Sequence, residues 1–389
     1  MKTVLGLDQI EAIQKKVKNQ RIGLITNSSG VNSSWETNLS IFLKNGLSIA
    51  VLFTPEHGLF GEGAGKKVEN SIYPEYNLPI VSLFCGEKQK PKREDLDGVD
   101  CLIYDIQDVG LRYYTYIYTL GYCMEMAAEA GLPMIVLDRP NPLGDMVYGS
   151  ILKPEYASFI GDYALPLRYG LTAGEMAYYI KKLKKLDLEL SVITMKEYKR
   201  DLLYPQTEQL WNVPSPALPS FESVLFYSGG CLAGATSLSE GRGSAKPFQI
   251  YGAPYIKMHE FYQELKREIT EDGIAFRERA FTPTERCYQG KICYGVEFAA
   301  LHSHLNFIPV ILKLMKTAAR LYPENFEVSA AHSPQKTHMS YLCGGRDVEQ
   351  YLQGEKELEE LLFSWEKQSQ MFEKETRELW LYESVGRRA

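Results

Sequence analysis

The chain has no CxxC pair, no internal repeat, no low-complexity stretch and no apolar run near the ~20 residues that a membrane-spanning helix needs. Its seven cysteines, at 85, 101, 123, 231, 287, 293 and 343, are an odd set, and several sit inside apolar segments. Buried reduced thiols are therefore expected rather than a disulfide framework or a metal site. Positive charge is also in deficit: the formal net charge is −6, which gives no general attraction to nucleic acid or to an anionic membrane surface. The opening MKTVLGLDQIEAIQKK lacks the apolar core of a signal peptide and turns amphipathic within a few residues. As written, the chain reads as cytoplasmic, or as secreted if a leader once preceded it.

What is present is a repeated pattern in the first half. RIGLITN runs into Asn27, SIAVLFT into Pro55-Glu56-His57-Gly58, DCLIYDI into Asp105-Ile106-Gln107-Asp108, and PMIVLDR into Asp138-Arg139-Pro140-Asn141. Each is an apolar, strand-like segment that ends in polar or ionisable residues. LPIVSLF (78–84) and LELSVITM (188–195) supply two more strands, and helical spacing covers Trp35 to Asn45, Tyr113 to Ala130 and Thr172 to Lys185. Strands separated by helices lie parallel, so all the polar clusters share one edge of one sheet. The expected fold is α/β, a Rossmann-like doubly wound parallel sheet. The region 139–171, rich in Pro, Gly and Tyr, is expected to cover the edge of that sheet.

The 389 residues exceed one comfortable core, so two domains are expected. The prolines of WNVPSPALPS mark the change of composition, giving a catalytic domain over 1–205 and a smaller α+β domain over 206–389 that completes a cleft. The second domain mixes strand-like AFRERAF and KICYGVEFAAL with helices over Ile308 to Leu321 and Lys356 to Glu378.

Thr54-Pro55-Glu56-His57-Gly58 is the sharpest chemical signal, because a carboxylate and an imidazole leave a buried strand together and enter a loop with Gly61, Gly63 and Gly65. Partial burial at a strand mouth favours the protonated form that a general acid needs. The bland alternative is a Glu that caps a helix or pairs with a lysine. No HExxH is present; Phe60 and Lys67 break the phosphate-loop pattern; no GxGxxG follows the first strand. Neither a metal nor a nucleotide cofactor is expected. The block from Asp105 to Tyr116 packs Asp105, Gln107, Asp108, Arg112 and several tyrosines into twelve residues, a composition suited to a hydroxyl-rich ligand. Some of these residues are expected to be an N-cap or core. Ser239-Glu240-Gly241-Arg242-Gly243-Ser244 sets one acid and one base among glycines, so that Arg242 could clamp a carboxylate or merely form a surface ion pair. His302 and His304 alternate without a third ligand, which argues against zinc.

The blocks TPEHGLFGEGAG, YDIQDVGLRYYTY, VLDRPNPLG, YGLTAGEMA, NVPSPALPS, LSEGRGSAKPF and YGAP, in this order from about Gly6 to Pro254, resemble the exo-acting β-N-acetylmuramidase family, the NamZ-type peptidoglycan hexosaminidases. The resemblance implies hydrolysis of the β-1,4 bond that joins a non-reducing terminal N-acetylmuramic acid to N-acetylglucosamine. It also implies a Rossmann-like domain joined to a smaller C-terminal domain, with Glu56 as the catalytic glutamate and His57, Asp105, Gln107, Asp108, Arg112 and Tyr116 around the sugar. With the polar strand ends, the expected site comprises Glu56, His57, Asp105 and Asp108 as catalytic residues and Asn27, Gln107, Arg112, Tyr116, Asp138, Arg139, Asn141, Glu240 and Arg242 as substrate contacts. The expected partners are peptidoglycan-derived disaccharides or glycan chain ends, with no nucleic acid and no membrane insertion. Two departures stand out: the block usually read as TNxSEGRGT appears as Thr236 to Ser244, with Ser237 for Asn and Ser244 for the last Thr, and DRPNPLGG ends in Asp145. Arg242, Arg112 and Arg139 are the candidate partners of the lactyl carboxylate. The second catalytic group is open between a second carboxylate and the substrate's own acetamido oxygen oriented by Asp105 or Asp108. A non-catalytic receptor for cell-wall sugars is the rival reading.

Overall fold

The computed structural model describes residues 2–63, 67–85, 89–329 and 336–386. Seven strands form the central sheet: β1 Arg21–Thr26, β2 Ser48–Thr54, β3 Ser71–Tyr73, β4 Leu78–Ser82, β5 Cys101–Asp105, β6 Met134–Leu137 and, last in the chain, Leu190–Ile193. Their spatial order is β3-β4-β2-β1-β5-β6 followed by 190–193, and all pairs are parallel except β3 with β4. This is the doubly wound α/β sheet, and an antiparallel edge strand is its one addition. The largely apolar central strands β1, β2, β5 and β6 reflect burial on both faces. In β5, Leu102 and Tyr104 pack into the larger core cluster, and Cys101 and Ile103 into the smaller one on the opposite face.

Helices α1 Ile10–Lys16 and α2 Asn38–Lys44 cover the smaller cluster through Ile13, Ile41 and Phe42. α3 Tyr116–Ala130 and α4 Ala173–Lys184 cover the other face. The ends follow local chemistry: Gly131 takes the left-handed conformation after α3 (φ 69°), and Thr172 with Glu175 forms a capping box at α4. The excursion at 139–171 carries a two-stranded ribbon, β7 Val147–Tyr148 with β8 Arg168–Tyr169, and the strand at 190–193 is β9.

The later chain folds as α5 Phe221–Ala233, β10 Ile250–Ala253, α6 Met258–Glu268, β11 Ile274–Phe281, β12 Cys293–Ala300, α7 Ile308–Leu321, α8 His338–Cys343, α9 Asp347–Gln353 and α10 Leu358–Thr376. Its antiparallel sheet has the order β10-β12-β11. The larger core cluster runs without a break from the β5 face of the parallel sheet through α5 and α7 to Trp365 and Phe372 of α10. One face of the parallel sheet therefore shares a continuous apolar core with the helices of the second half.

Candidate active site

β2 delivers the sharpest of the sequence signals to a cavity. After Thr54 the chain turns, with Gly58 N donating to Pro55 O at 3.1 Å and His57 in a left-handed conformation (φ 77°). Gly63 N donates back to His57 O at 2.9 Å, which closes the loop on itself. Glu56 and His57 thereby face a cavity of about 270 Å³. Its other walls are the turn Tyr113-Tyr114-Thr115 before α3, the proline-rich Ser215–Leu218, and Tyr227, Arg242, Phe248, Glu285, Arg286 and His338 from the second half. Ile160 is the contribution of the excursion 139–171. Most of that segment instead packs within the molecule, and β7 lies against α10.

One carboxylate oxygen of Glu56 is held: Thr115 Oγ1 donates to Glu56 Oε2 at 2.8 Å. Burial lowers the affinity of His57 for a proton, and Arg242 and Arg286 lower it further, against an opposing pull from Glu56; His57 titrates below the ordinary histidine range. His338 is lowered by burial and by the same two arginines. Both imidazoles are consequently neutral at pH 7. Arg242 is half-buried in this wall; desolvation disfavours its charge, but Glu240 beside it, together with Cys231, Tyr227 and Glu285, outweighs that and leaves the guanidinium above its ordinary value. Arg242 Nε lies 3.2 Å from Glu240 Oε1, at an angle that makes an ion pair without a hydrogen bond, and the guanidinium sits 5.1 Å from the Phe248 ring centroid. Tyr227 packs edge-on to Tyr113 and Tyr114 and against Phe248, so the inner wall is aromatic. No group of three or more potential metal ligands occurs among the described residues.

Residues 22–222 match the family model described as exo-β-N-acetylmuramidase NamZ, N-terminal, and residues 225–382 match its C-terminal counterpart. The chain belongs to the NamZ family. It is 39% identical over 386 residues, 98% of this chain and 92% of the relative, to the peptidoglycan β-N-acetylmuramidase NamZ of Bacillus subtilis. Two crystal structures of DUF1343 family proteins from Bacteroides fragilis share its fold at 28% identity. One has a TM-score of 0.88 and covers 98% of this chain and 99% of its own; the other has 0.78, with 99% and 100% covered.

Within this NamZ-family chain, Glu56, His57 and Arg242 line the cavity, with Glu240 behind Arg242. The other expected site residues are spent on holding the scaffold. Asp105 is fully buried and receives Arg139 Nε at 2.7 Å, Arg139 Nη2 at 3.0 Å and Asn38 Nδ2 at 2.8 Å. This cluster fills the crevice between β1 and β5, the switch point where open α/β sheets commonly bind ligands. Asp138 accepts from Arg139 N, Gly174 N, Thr172 Oγ1 and Tyr382 Oη, and so anchors α4 and the C-terminal tail. Gln107 Nε2 donates to the carbonyls of Asp108 and Pro140, Asn27 Oδ1 accepts from Ser29, and Asn141 bridges Leu171 and Leu143. Asp108 is buried, bonded by Gly110 N at 2.7 Å and by the Tyr169 hydroxyl, and burial pushes its carboxyl up to about 6.

The geometry corrects the sugar-contact expectation for Arg112 and Tyr116. Arg112 is wholly buried and donates to the carbonyls of Ser150, Leu165 and Leu342 at 2.5–2.6 Å, while burial pulls its guanidinium down to about 10. Tyr116 Oη donates to Pro214 O at 2.7 Å, which ties α3 to the proline-rich segment. Conversely, Thr115, Ser215, Glu285, Arg286 and His338 line the cavity and were not singled out by sequence. Thr115 and Ser215 sit inside flagged blocks. Glu285, Arg286 and His338 are single polar residues without any local pattern, and only the tertiary fold brings them in.

Proposed function

We propose that this chain is a glycoside hydrolase that releases non-reducing terminal N-acetylmuramic acid from β-1,4-linked N-acetylmuramyl-N-acetylglucosamine fragments of peptidoglycan. The observation that carries the reading is Glu56, set at a strand mouth in the cavity lining and held through Oε2 by Thr115, with no hydrogen bond to Oε1 among the described residues. A cavity of about 270 Å³ lies just below the usual range for small-ligand sites, which favours one sugar residue over a length of glycan and agrees with action at a chain end. Glu56 gives its proton to the glycosidic oxygen as the bond to C1 breaks. Arg242 pairs with the lactyl carboxylate; although Glu240 neutralises part of its charge, it is the more sheltered of the two arginines that line the cavity among the described residues, its side chain 22% exposed where Arg286 is open to solvent. Among the described residues, Glu56 and Glu285 are the carboxylates of the cavity lining, so the anomer formed first distinguishes a second carboxylate from acetamido participation. A cytoplasmic location is part of the proposal: all seven cysteines are unpaired, as in a reducing compartment, and no helix among the described residues is long and apolar enough to cross a membrane.

The test uses a defined muramyl disaccharide, with NMR of the first product. Glu56→Gln is expected to cost about 10²–10⁴-fold in rate while folding normally. Arg242→Ala, assayed alongside, should lose affinity for the muramide and spare the matching glucosaminide, which lacks the lactyl group. A folded Glu56→Gln enzyme with near-normal activity would remove Glu56 as the acid, and equal losses on both sugars would remove Arg242 from carboxylate recognition.

A further inference from the structure

Among the described residues, five α-helices begin at a Ser or Thr, and four of these residues do what that position favours. Thr37, Thr172, Ser220 and Thr337 have extended backbones and accept a hydrogen bond from the amide three residues on. Thr115, at the start of α3, does not. Its backbone is already helical (φ −75°, ψ −13°), it makes no side-chain cap, and its hydroxyl donates instead to Glu56 Oε2 at 2.8 Å, 59 residues away in sequence. The stabilisation that a side-chain cap gives is thus forgone at the start of α3.

We infer that Thr115 is a positioning residue that fixes which oxygen of the Glu56 carboxyl carries the proton to be transferred. The inference rests on the assignment of Glu56 as the acid. A neutral carboxyl has one carbonyl oxygen and one hydroxyl. A donor on Oε2 makes that atom the carbonyl oxygen and leaves the proton on Oε1. During reaction the Oε1–H bond breaks and leaves its electron pair on the carboxylate. The proton bonds to the glycosidic oxygen, which takes the pair of the breaking C1–O bond; water then supplies hydroxide to C1 and a proton to restore Glu56. The Thr115 bond becomes charge-assisted as negative charge develops on Glu56, so it is stronger in the transition state than in the ground state. A contact with that property raises kcat and leaves KM alone. Thr115 is itself buried and lines the cavity beside Glu56, so no other element need move for it to act.

The experiment compares Thr115→Val, Thr115→Ser and Glu56→Gln on the muramyl disaccharide and on a dinitrophenyl muramide, whose leaving group departs without a proton. Thr115→Val is expected to lower kcat on the disaccharide about 10-fold or more, with KM within about 2-fold and little change on the aryl substrate, and Thr115→Ser to restore most of the rate. If the valine enzyme does not fold, Thr115→Ala carries the same comparison. Equal losses on the two substrates, or no rescue by serine, would make Thr115 a purely structural contact and overturn the inference. Normal Thr115→Val activity beside an inactive Glu56→Gln would do so too, and would leave the acid assignment standing. An active Glu56→Gln would instead remove the acid on which the inference depends.

Discussion

Polar residues at strand ends divide into those that face the cavity and those that hold the strands together, and at the residue scale burial separates them. Glu56 keeps one oxygen for the cavity, whereas Asp105 and Asp138 have partners on both oxygens and no exposure. Asp108 is a third case, because its Oδ1 is buried without a hydrogen bond while Oδ2 accepts from Gly110 and Tyr169. Desolvation dominates, and the carboxyl titrates at about 6 against an ordinary value of 3.8. The folded chain therefore holds this proton more tightly than the unfolded chain does. The resulting stabilisation is complete below about pH 4 and is lost as the pH rises through about 6, in total about 3 kcal/mol at 1.36 kcal/mol per unit. Asp108→Asn cannot titrate. Urea unfolding at several pH values between 4 and 7 should show the stability of the natural protein falling relative to the variant across that window. Parallel pH profiles would mean that the buried carboxyl does not titrate in this range.

Glycine at the element scale shows how a correct local inference can point at the wrong neighbour. The glycines around Arg242 are expected from sequence to let backbone approach a ligand. In the structure a Cβ on Gly243 would stand 2.5 Å from Glu285 N and 2.7 Å from Thr284 N, with φ at 74°, so the close approach is between two loops. Thr284 N and Oγ1 both donate to Gly243 O. The loop of Arg242 and the loop of Glu285 and Arg286 are thereby one unit at the cavity. Gly243→Ala must separate them and strain a left-handed residue, with an expected cost of about 1–3 kcal/mol. Binding of muramides should weaken at the same time; unchanged stability and KM would show the loops to be independent. The same logic explains what the sequence left legible. The six parallel strands are readable because they are apolar runs bounded by turn residues, whereas the exposed edge strand β3 is not; α4 and α7 are readable from an apolar face, and α3 from its length and the Gly131 stop. α5, FESVLFYSGGCLA, is buried over most of its length and has two internal glycines, so no period marks it as a helix. Glu56, His57 and Arg242 were legible from local context, whereas the partners that complete the cavity come from separate places in the chain.

Joining of the two halves is a whole-molecule property, and Arg112 is where it is most concentrated. Its side chain reaches Ser150 and Leu165 in the excursion and Leu342 in α8, three carbonyls from distant parts of the chain. The C-terminal tail repeats the arrangement on the other side, with Tyr382 Oη on Asp138 and Leu381 N on Glu175. α8 also carries His338, so the guanidinium sets the position of one cavity wall without touching it. A sugar contact and a structural clasp make opposite predictions for Arg112→Met, which keeps the apolar stem and removes the donors. A sugar contact would raise KM and leave stability nearly unchanged. The clasp would leave the carbonyls of Ser150 and Leu342 without their donor at about 1–3 kcal/mol each, and Leu165 O with Leu152 N alone, for a loss of several kcal/mol. Arg112→Lys should recover only part of that loss, because one ammonium cannot reproduce the planar fork that spans three acceptors. Urea midpoints of the two variants, read beside KM on the muramyl disaccharide at a temperature where both remain folded, decide the matter. A large fall in midpoint with KM unmoved is the expected result, and the reverse pattern would return Arg112 to the sugar.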